Sequence, residues 1–248
     1  MNSKILFKGK FSKNEIVSKY NKVSLRCVDP VIENKAKQIW QNKVREARIA
    51  GKKIWDQPVY RLDDFFVDKN KCGLKFSTIP FSIRISIKDF TDELFNKGEK
   101  YLPMAVYSSI FVETSDGKFI FGEKSDKYAT NRKYSYIGGV FNKSLEYDDE
   151  VDPFAASYNE VIEELGIDTK DIESFFLLGA LRTESCNVAL VFYCKLKLIK
   201  DEVIKKFRNR KDLELSDLFF AKAKELKDVG VNKIGKEPEI VDFYELYE

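Results

Sequence analysis

Histidine is absent from all 248 residues, and with it go several classes of chemistry. There is no Ser-His-Asp or Cys-His nucleophile, no histidine-ligated zinc or iron, and no histidine general base or phosphohistidine. Cysteine is scarce as well. The four residues at 27, 72, 186 and 194 form no C-x-x-C pair or other zinc-ligand spacing, so they read as free thiols of a reducing compartment. No apolar run approaches the length of a membrane span or a signal-peptide core, which makes the cytoplasm the expected location. Charge of one sign is not in excess: 43 basic and 40 acidic residues are interspersed for a net +3. That balance gives no strong electrostatic case for nucleic acid or an anionic membrane. Acid–base work at neutral pH is left to carboxylates, lysines, tyrosines or metal-bound water.

The most informative segment present is Asn159-Glu160-Val161-Ile162-Glu163-Glu164-Leu165-Gly166-Ile167. At about 100° per residue, Glu160, Glu163 and Glu164 share one helix face. Phe154, Tyr158, Val161 and Leu165 project to the other. Asp152 as N-cap, Pro153 at the first helical position and Gly166 as the stop predict a helix from Pro153 to Leu165. Carboxylates at i, i+3 and i+4 repel one another, and no basic residue at helical spacing relieves them. A solvated acidic face is one reading of this pattern. A site for a hard divalent cation such as Mg²⁺, which prefers oxygen ligands and keeps company with phosphates, is the other. A Gly138-Gly139 pair upstream favours the second.

Elsewhere the pattern predicts a short strand in 1–7, a helix from Glu33 to about Ala50, and an aromatic and basic stretch from Lys53 to Phe66. Paired strands are expected over 74–90, and a short helix or loop over 89–100. A hairpin of Ala105–Glu113 and Phe119–Glu123 should turn at Ser115-Asp116-Gly117. Further strands are expected at Phe175–Thr183, Val188–Leu198 and Asp217–Ala221, with a helix at Asp201–Arg208 and a charged helical tail. Strands mixed with helices in this order indicate an α/β fold.

The acidic helix resembles that of the Nudix hydrolases, whose box reads G-x5-E-x7-R-E-U-x-E-E-x-G-U with U bulky and apolar. Glu160 to Ile167 matches its second half at every defined position. The first half departs. Gly139 precedes Asn159 by 20 residues where the pattern has fourteen, Asn159 replaces the Arg, and the first Glu has only Glu146 and Glu150 as nearby candidates. The intervening loop is enlarged and carries Glu146, Asp148, Asp149 and Glu150.

The order Ile39-Trp40, Lys53 to Trp55, Asp56, Pro58, Tyr60-Arg61-Leu62, Lys88-Asp89-Phe90, Lys124-Ser125, Gly138-Gly139 and Leu177-Leu178-Gly179 is similar to the UDP-glucose and UDP-galactose diphosphatase branch. The resemblance implies a Nudix α/β/α sandwich over 100–248, preceded by a smaller α+β domain over 1–95 that helps recognise substrate. It implies Mg²⁺, with Mn²⁺ as an alternative, on Glu160, Glu163 and Glu164, and hydrolysis of a nucleoside diphosphate linked to another moiety. For a UDP-sugar the products are UMP and a sugar 1-phosphate.

Glu160 is the first candidate for the general base and Glu184 the second. Trp55 is a candidate to stack on a pyrimidine. Lys124 and Arg182 are candidates for substrate anions, although Arg182 could instead pair with Glu184. Gly139 is expected to turn the chain beside the metal. Another small nucleotide such as ADP-ribose, capped RNA, or a domain that binds without hydrolysis remain open alternatives.

Overall fold

The computed structural model describes residues 3–52, 54–125, 133–142, 151–234 and 238–246. In chain order the regular elements begin with β1 (Lys4–Phe11), β2 (Ile16–Tyr20), α1 (Pro30–Ile49), β3 (Pro58–Asp68) and β4 (Lys71–Pro80). Next come α2 (Phe81–Ser86), α3 (Thr91–Lys97), β5 (Val106–Glu113), β6 (Lys118–Lys124) and β7 (Tyr134–Ser135). The remainder are α4 (Pro153–Leu165), β8 (Ile172–Arg182), β9 (Val188–Leu196), α5 (Lys200–Arg208), β10 (Leu215–Lys222) and α6 (Leu226–Asp228).

Two sheets organise these elements. The larger runs β1-β8-β9-β5-β6-β10, with β7 also on β6; the smaller runs β2-β4-β3. Within the large sheet β5 and β9 are parallel and the other neighbours antiparallel. β9 reads as a continuous apolar run because both of its faces are covered. Val188, Leu190, Phe192, Cys194 and Leu196 face one core, and Ala189, Val191 and Tyr193 the other. The first core is closed by α4, α5 and the smaller sheet, through residues such as Phe154, Val161, Phe207, Leu62 and Phe76. The second is closed by the C-terminal segment through Leu226, Val229, Ile234, Ile240 and Phe243. The sheet is thus sandwiched, as an α/β fold requires. Among the described residues no helix is long and apolar enough to cross a membrane.

β1 does not stay with the smaller sheet. It pairs with β8 from Lys4↔Arg182 to Phe11↔Leu177, so the stretch 1–95 contributes a strand to the large sheet. The two sheets are also stitched by Tyr60 N–H to Phe141 O at 2.9 Å and Leu62 N–H to Met104 O at 3.0 Å.

One expected pairing is corrected. Residues 81–90 are helical rather than a strand, although Phe81, Ile83, Ile85 and Ile87 alternate with polar residues in the manner of one. Pro80 ends the ladder because it has no N–H to donate. Ser82 N–H is then taken by Asp56 Oδ1 at 2.7 Å and Phe81 N–H by Gln57 O at 3.0 Å, which starts a helix. Ile83 and Ile87, at i and i+4, are the buried pair. The expected charged tail is a run of short 3-10, α and π turns laid over the second core. All four cysteines are free thiols, and Cys72, Cys186 and Cys194 are buried.

Candidate functional site

The site is built on β5. Ser108 N–H donates to Gly139 O at 2.9 Å, and Gly139 N–H donates to Ser108 Oγ at 3.1 Å. Bridges Tyr107↔Val140 and Ile110↔Ile137 continue the contact, so the segment that carries the diglycine is held along β5. Gly138 has φ +132°, and a Cβ there would fall 2.5 Å from the Ser108 carbonyl oxygen. Only glycine passes at that point.

Helix α4 has the ends expected of it. Asp152 Oδ1 accepts from Phe154 and Ala155 N–H at 3.0 and 2.9 Å, Pro153 opens the first turn, and Gly166 closes the helix in the left-handed region at φ 66°. Phe154, Val161 and Leu165 are buried, each side chain contributing roughly 1.5–3 kcal/mol by leaving water. Their burial fixes the rotation of the helix and so the direction of its glutamates.

Those glutamates are not one solvated face. Glu164 is only 4% exposed, and its Oε2 accepts the Gly138 N–H at 3.0 Å. Glu160 is half-buried and Glu163 exposed. A Cβ on Gly139 would stand 2.3 Å from Glu160 Oε1 and 2.6 Å from its Cδ. The side chain that Gly139 lacks is therefore the space in which the Glu160 carboxylate lies.

Burial pushes the Glu160 carboxyl up to about 7, with the negative charges of Glu214, Glu163 and Asp212 adding to the effect. Burial likewise holds Glu164 well above the usual carboxylate range. The Gly138 N–H and the Lys124 charge act against that shift, and Glu160 and Glu214 with it. Desolvated acids that also repel one another are what a compensating cation relieves.

Asp212 and Glu214 are the residues that sequence reasoning missed. They lie on the segment leading into β10, and β10 pairs with β6 through Leu215↔Lys124. Glu214 N–H donates to Asp212 Oδ1 at 2.8 Å, Ser125 N–H donates to Glu214 O at 3.0 Å, and Lys124 Nζ stands 3.7 Å from Glu214 Oε1. Their only local signal is an acidic pair after the basic run Lys205 to Lys211, which by itself says nothing of the helix 50 residues earlier.

The other expected residues divide. Gly139 and Lys124 belong with the glutamates. Arg182 does not: it is 3% exposed and its Nη1 donates to Glu99 Oε1 at 2.6 Å, with its guanidinium 5.0 Å over the Phe95 ring. That partner replaces the expected Glu184. Glu184 itself is exposed in the turn between β8 and β9, beside the Met104 N–H to Cys186 O bond at 2.9 Å. Trp55 is 65% exposed on the approach to β3, where Val59 bridges Asn142, three residues past Gly139. Asn159, in place of the box Arg, is exposed. Glu146, Asp148, Asp149 and Glu150 lie outside the described residues, as does Lys53.

Among the described residues no three acidic or cysteine side chains converge closely enough to ligate an ion as they stand. The donor set nevertheless suits a hard divalent cation: Glu160 and Glu164 are oxygen donors set against a glycine, with Glu214 in electrostatic reach.

A thermal consequence follows from Glu160. In the fold it holds its proton up to pH about 7, against an ordinary value of 4.5. Between those values the folded protein binds more protons than the unfolded chain, so stability falls as pH rises through the window. Glu164 acts in the same direction. Asp64 and Asp171, held low by hydrogen bonds and lysines against the opposing cost of burial, affect stability only at lower pH. We expect the Tm of chelator-treated protein to fall between pH 5 and 7.5, and Glu160→Gln to flatten that fall. A wild-type Tm that is level across this range would contradict the burial of Glu160.

No family model and no curated protein matches the sequence. Solved structures with a similar arrangement include a Nudix hydrolase from Nitrosomonas europaea, 16% identical over 58% of this chain and 87% of that one, with TM-score 0.37. A hydrolase of the Nudix family from Clostridium perfringens is 15% identical over 58% and 97%, at TM-score 0.38. An Ap4A hydrolase from C. elegans is 10% identical over 58% and 96%, at TM-score 0.39. Identities and scores this low leave function to be read from the site itself.

Proposed function

We propose that the chain is a Nudix-type hydrolase that uses a divalent cation, Mg²⁺ or Mn²⁺, to cleave the diphosphate of a nucleoside diphosphate linked to another moiety, a UDP-sugar being preferred. The observation that carries this reading is the pair Glu160 and Glu164, desolvated against Gly138-Gly139 with Glu214 beside them. Its second support is the match of Glu160 to Ile167 to the latter half of the Nudix box.

Glu160, Glu164 and Glu214 would hold the cation, with the exposed Glu163 on the rim. A bound cation supplies neutralisation of the diphosphate oxygens and polarisation of water. The chain's residues do the rest. Glu160, whose carboxylate lies against Gly139, is the group placed to accept a proton from the attacking water. The water oxygen forms a bond to one phosphorus while the bond from that phosphorus to the bridging oxygen breaks, leaving two phosphate monoesters. Lys124 offers a point charge to a phosphate oxygen. Glu184, exposed in the turn between β8 and β9, remains the second candidate for that proton, whereas Arg182 is occupied by Glu99.

The segment 1–95 would contribute to substrate recognition through Trp55, whose exposed indole precedes the strand that joins residue 142. Free, buried thiols and a small nucleotide substrate fit work in the cytoplasm.

The test is product release with and without Mg²⁺ across UDP-glucose, UDP-galactose, ADP-ribose, dinucleoside polyphosphates and capped RNA, with products separated by chromatography. Mg²⁺-dependent UMP is expected from the UDP-sugars. In the same assay Trp55→Ala should raise KM for them roughly tenfold, the worth of one stacked base. Activity on another member would keep the chemistry and replace the substrate. Folded protein inert to all of them would make the chain a nucleotide-binding module.

A further inference from the structure

The acids of the site do not stand alone. Lys124 ends β6, where its N–H donates to Lys133 O at 2.8 Å, and its side chain is 30% exposed. Its ammonium lies 3.7 Å from Glu214 Oε1, and its charge favours the ionised form of Glu164. One lysine therefore serves two of the carboxylates that a divalent ion would need. Two other lysines of the domain are engaged elsewhere: Lys133 with Glu123 at 3.1 Å and Lys195 with Glu113 at 2.9 Å. The contact to Glu214 is looser than either, as befits one that can be given up.

Glu214 is anchored independently of that lysine, since its backbone is held by Asp212 on one side and Ser125 on the other. Its backbone keeps its place when the ammonium leaves. Lysine is suited to such exchange, being a compact charge on a flexible four-carbon stem.

Resting on the cation-site reading above, we propose that Lys124 is the resident counter-ion of the carboxylate cluster and that a divalent cation must displace it to bind. Binding and release are then linked. The same event that fills the cluster with a cation frees an ammonium at its edge, where an anionic oxygen of the substrate arrives. Lys124 sets cation affinity lower than the acids alone would give, and in exchange holds the cation-free site against self-repulsion.

The experiment is titration of Mn²⁺, followed by the electron paramagnetic resonance signal of free Mn²⁺, into the wild type, Lys124→Met, Lys124→Arg and Glu164→Gln, without substrate. Displacement predicts that Lys124→Met, which keeps the stem and removes the charge, binds Mn²⁺ roughly three- to tenfold more tightly. Lys124→Arg, which restores the charge, should bind within about twofold of the wild type. Thermal melts of each variant guard against misfolding. Unchanged or weaker Mn²⁺ binding by folded Lys124→Met overturns the inference. Loss of Mn²⁺ binding in Glu164→Gln supports the underlying site whatever Lys124 does. No saturable binding in the wild type, or equal binding in Glu164→Gln, overturns the site and the inference with it.

Discussion

Turnover is expected to fall roughly a hundredfold or more when either Glu160 or Glu164 is replaced by Gln, with folding intact. The substitution keeps shape and removes charge. At Glu164 an amide oxygen can still accept the Gly138 N–H now held at 3.0 Å, so the diglycine strand keeps its place. At both positions the lost charge is one the fold desolvates, so the variants should melt no lower than the wild type at pH 7.5. Glu163→Gln, on the exposed edge of the same helix, should cost far less. Steady-state rates alongside melting curves check all three. Near-normal rates in Glu160→Gln or Glu164→Gln would remove the helix from the chemistry.

Alanine at the two adjacent glycines should separate function from stability. A Cβ at Gly139 meets the tip of a flexible side chain, 2.3 Å from Glu160 Oε1. The carboxylate can swing aside at little cost to the fold, but it then leaves the position that α4 gives it. Gly139→Ala is expected to lose roughly tenfold or more in turnover, as reacting groups do when misplaced by about 1 Å, with a near-native Tm. A Cβ at Gly138 meets backbone instead, 2.5 Å from the Ser108 carbonyl oxygen, at a φ of +132°. Nothing there moves without breaking the β5 contact. Gly138→Ala should lose on the order of 3 kcal/mol of stability from combined strain and overpacking. Urea unfolding and turnover of both variants decide the matter. A destabilised Gly139→Ala with normal kinetics would mean that the glycine is needed for packing alone.

The sequence was most legible where the signal is local. Asp152, Pro153 and Gly166 set the ends of α4, and its three glutamates were visible from spacing alone. The hairpin of β5 and β6 announced itself through Ser115-Asp116-Gly117. What stayed hidden depends on contacts between distant segments. The alternation of Phe81 to Ile87 reads as a strand until Asp56 supplies a partner for Ser82 N–H. Arg182 and Glu184 are two apart, as if on one strand face. The chain turns at 183–187, with Cys186 at φ 57°, and the arginine meets Glu99 instead. Glu214 comes beside the helix only because β10 pairs with β6. Spacing also could not say that Glu164 is buried and Glu163 is not. That difference comes from where Gly138 passes.

The placement of β1 bears on how the chain reaches this structure. Its partner strand β8 lies far along the chain, and Lys4 must find Arg182, 178 residues later, before the register is set. Closing so long a loop makes pairing late and slow relative to local hairpins such as β3 with β4. Until it happens, β8 presents an open row of backbone donors and acceptors, the kind of edge that recruits other chains. The interval before β1 docks is therefore when this protein is most exposed to aggregation, and a chaperone that shields β8 at that stage would act at the vulnerable point.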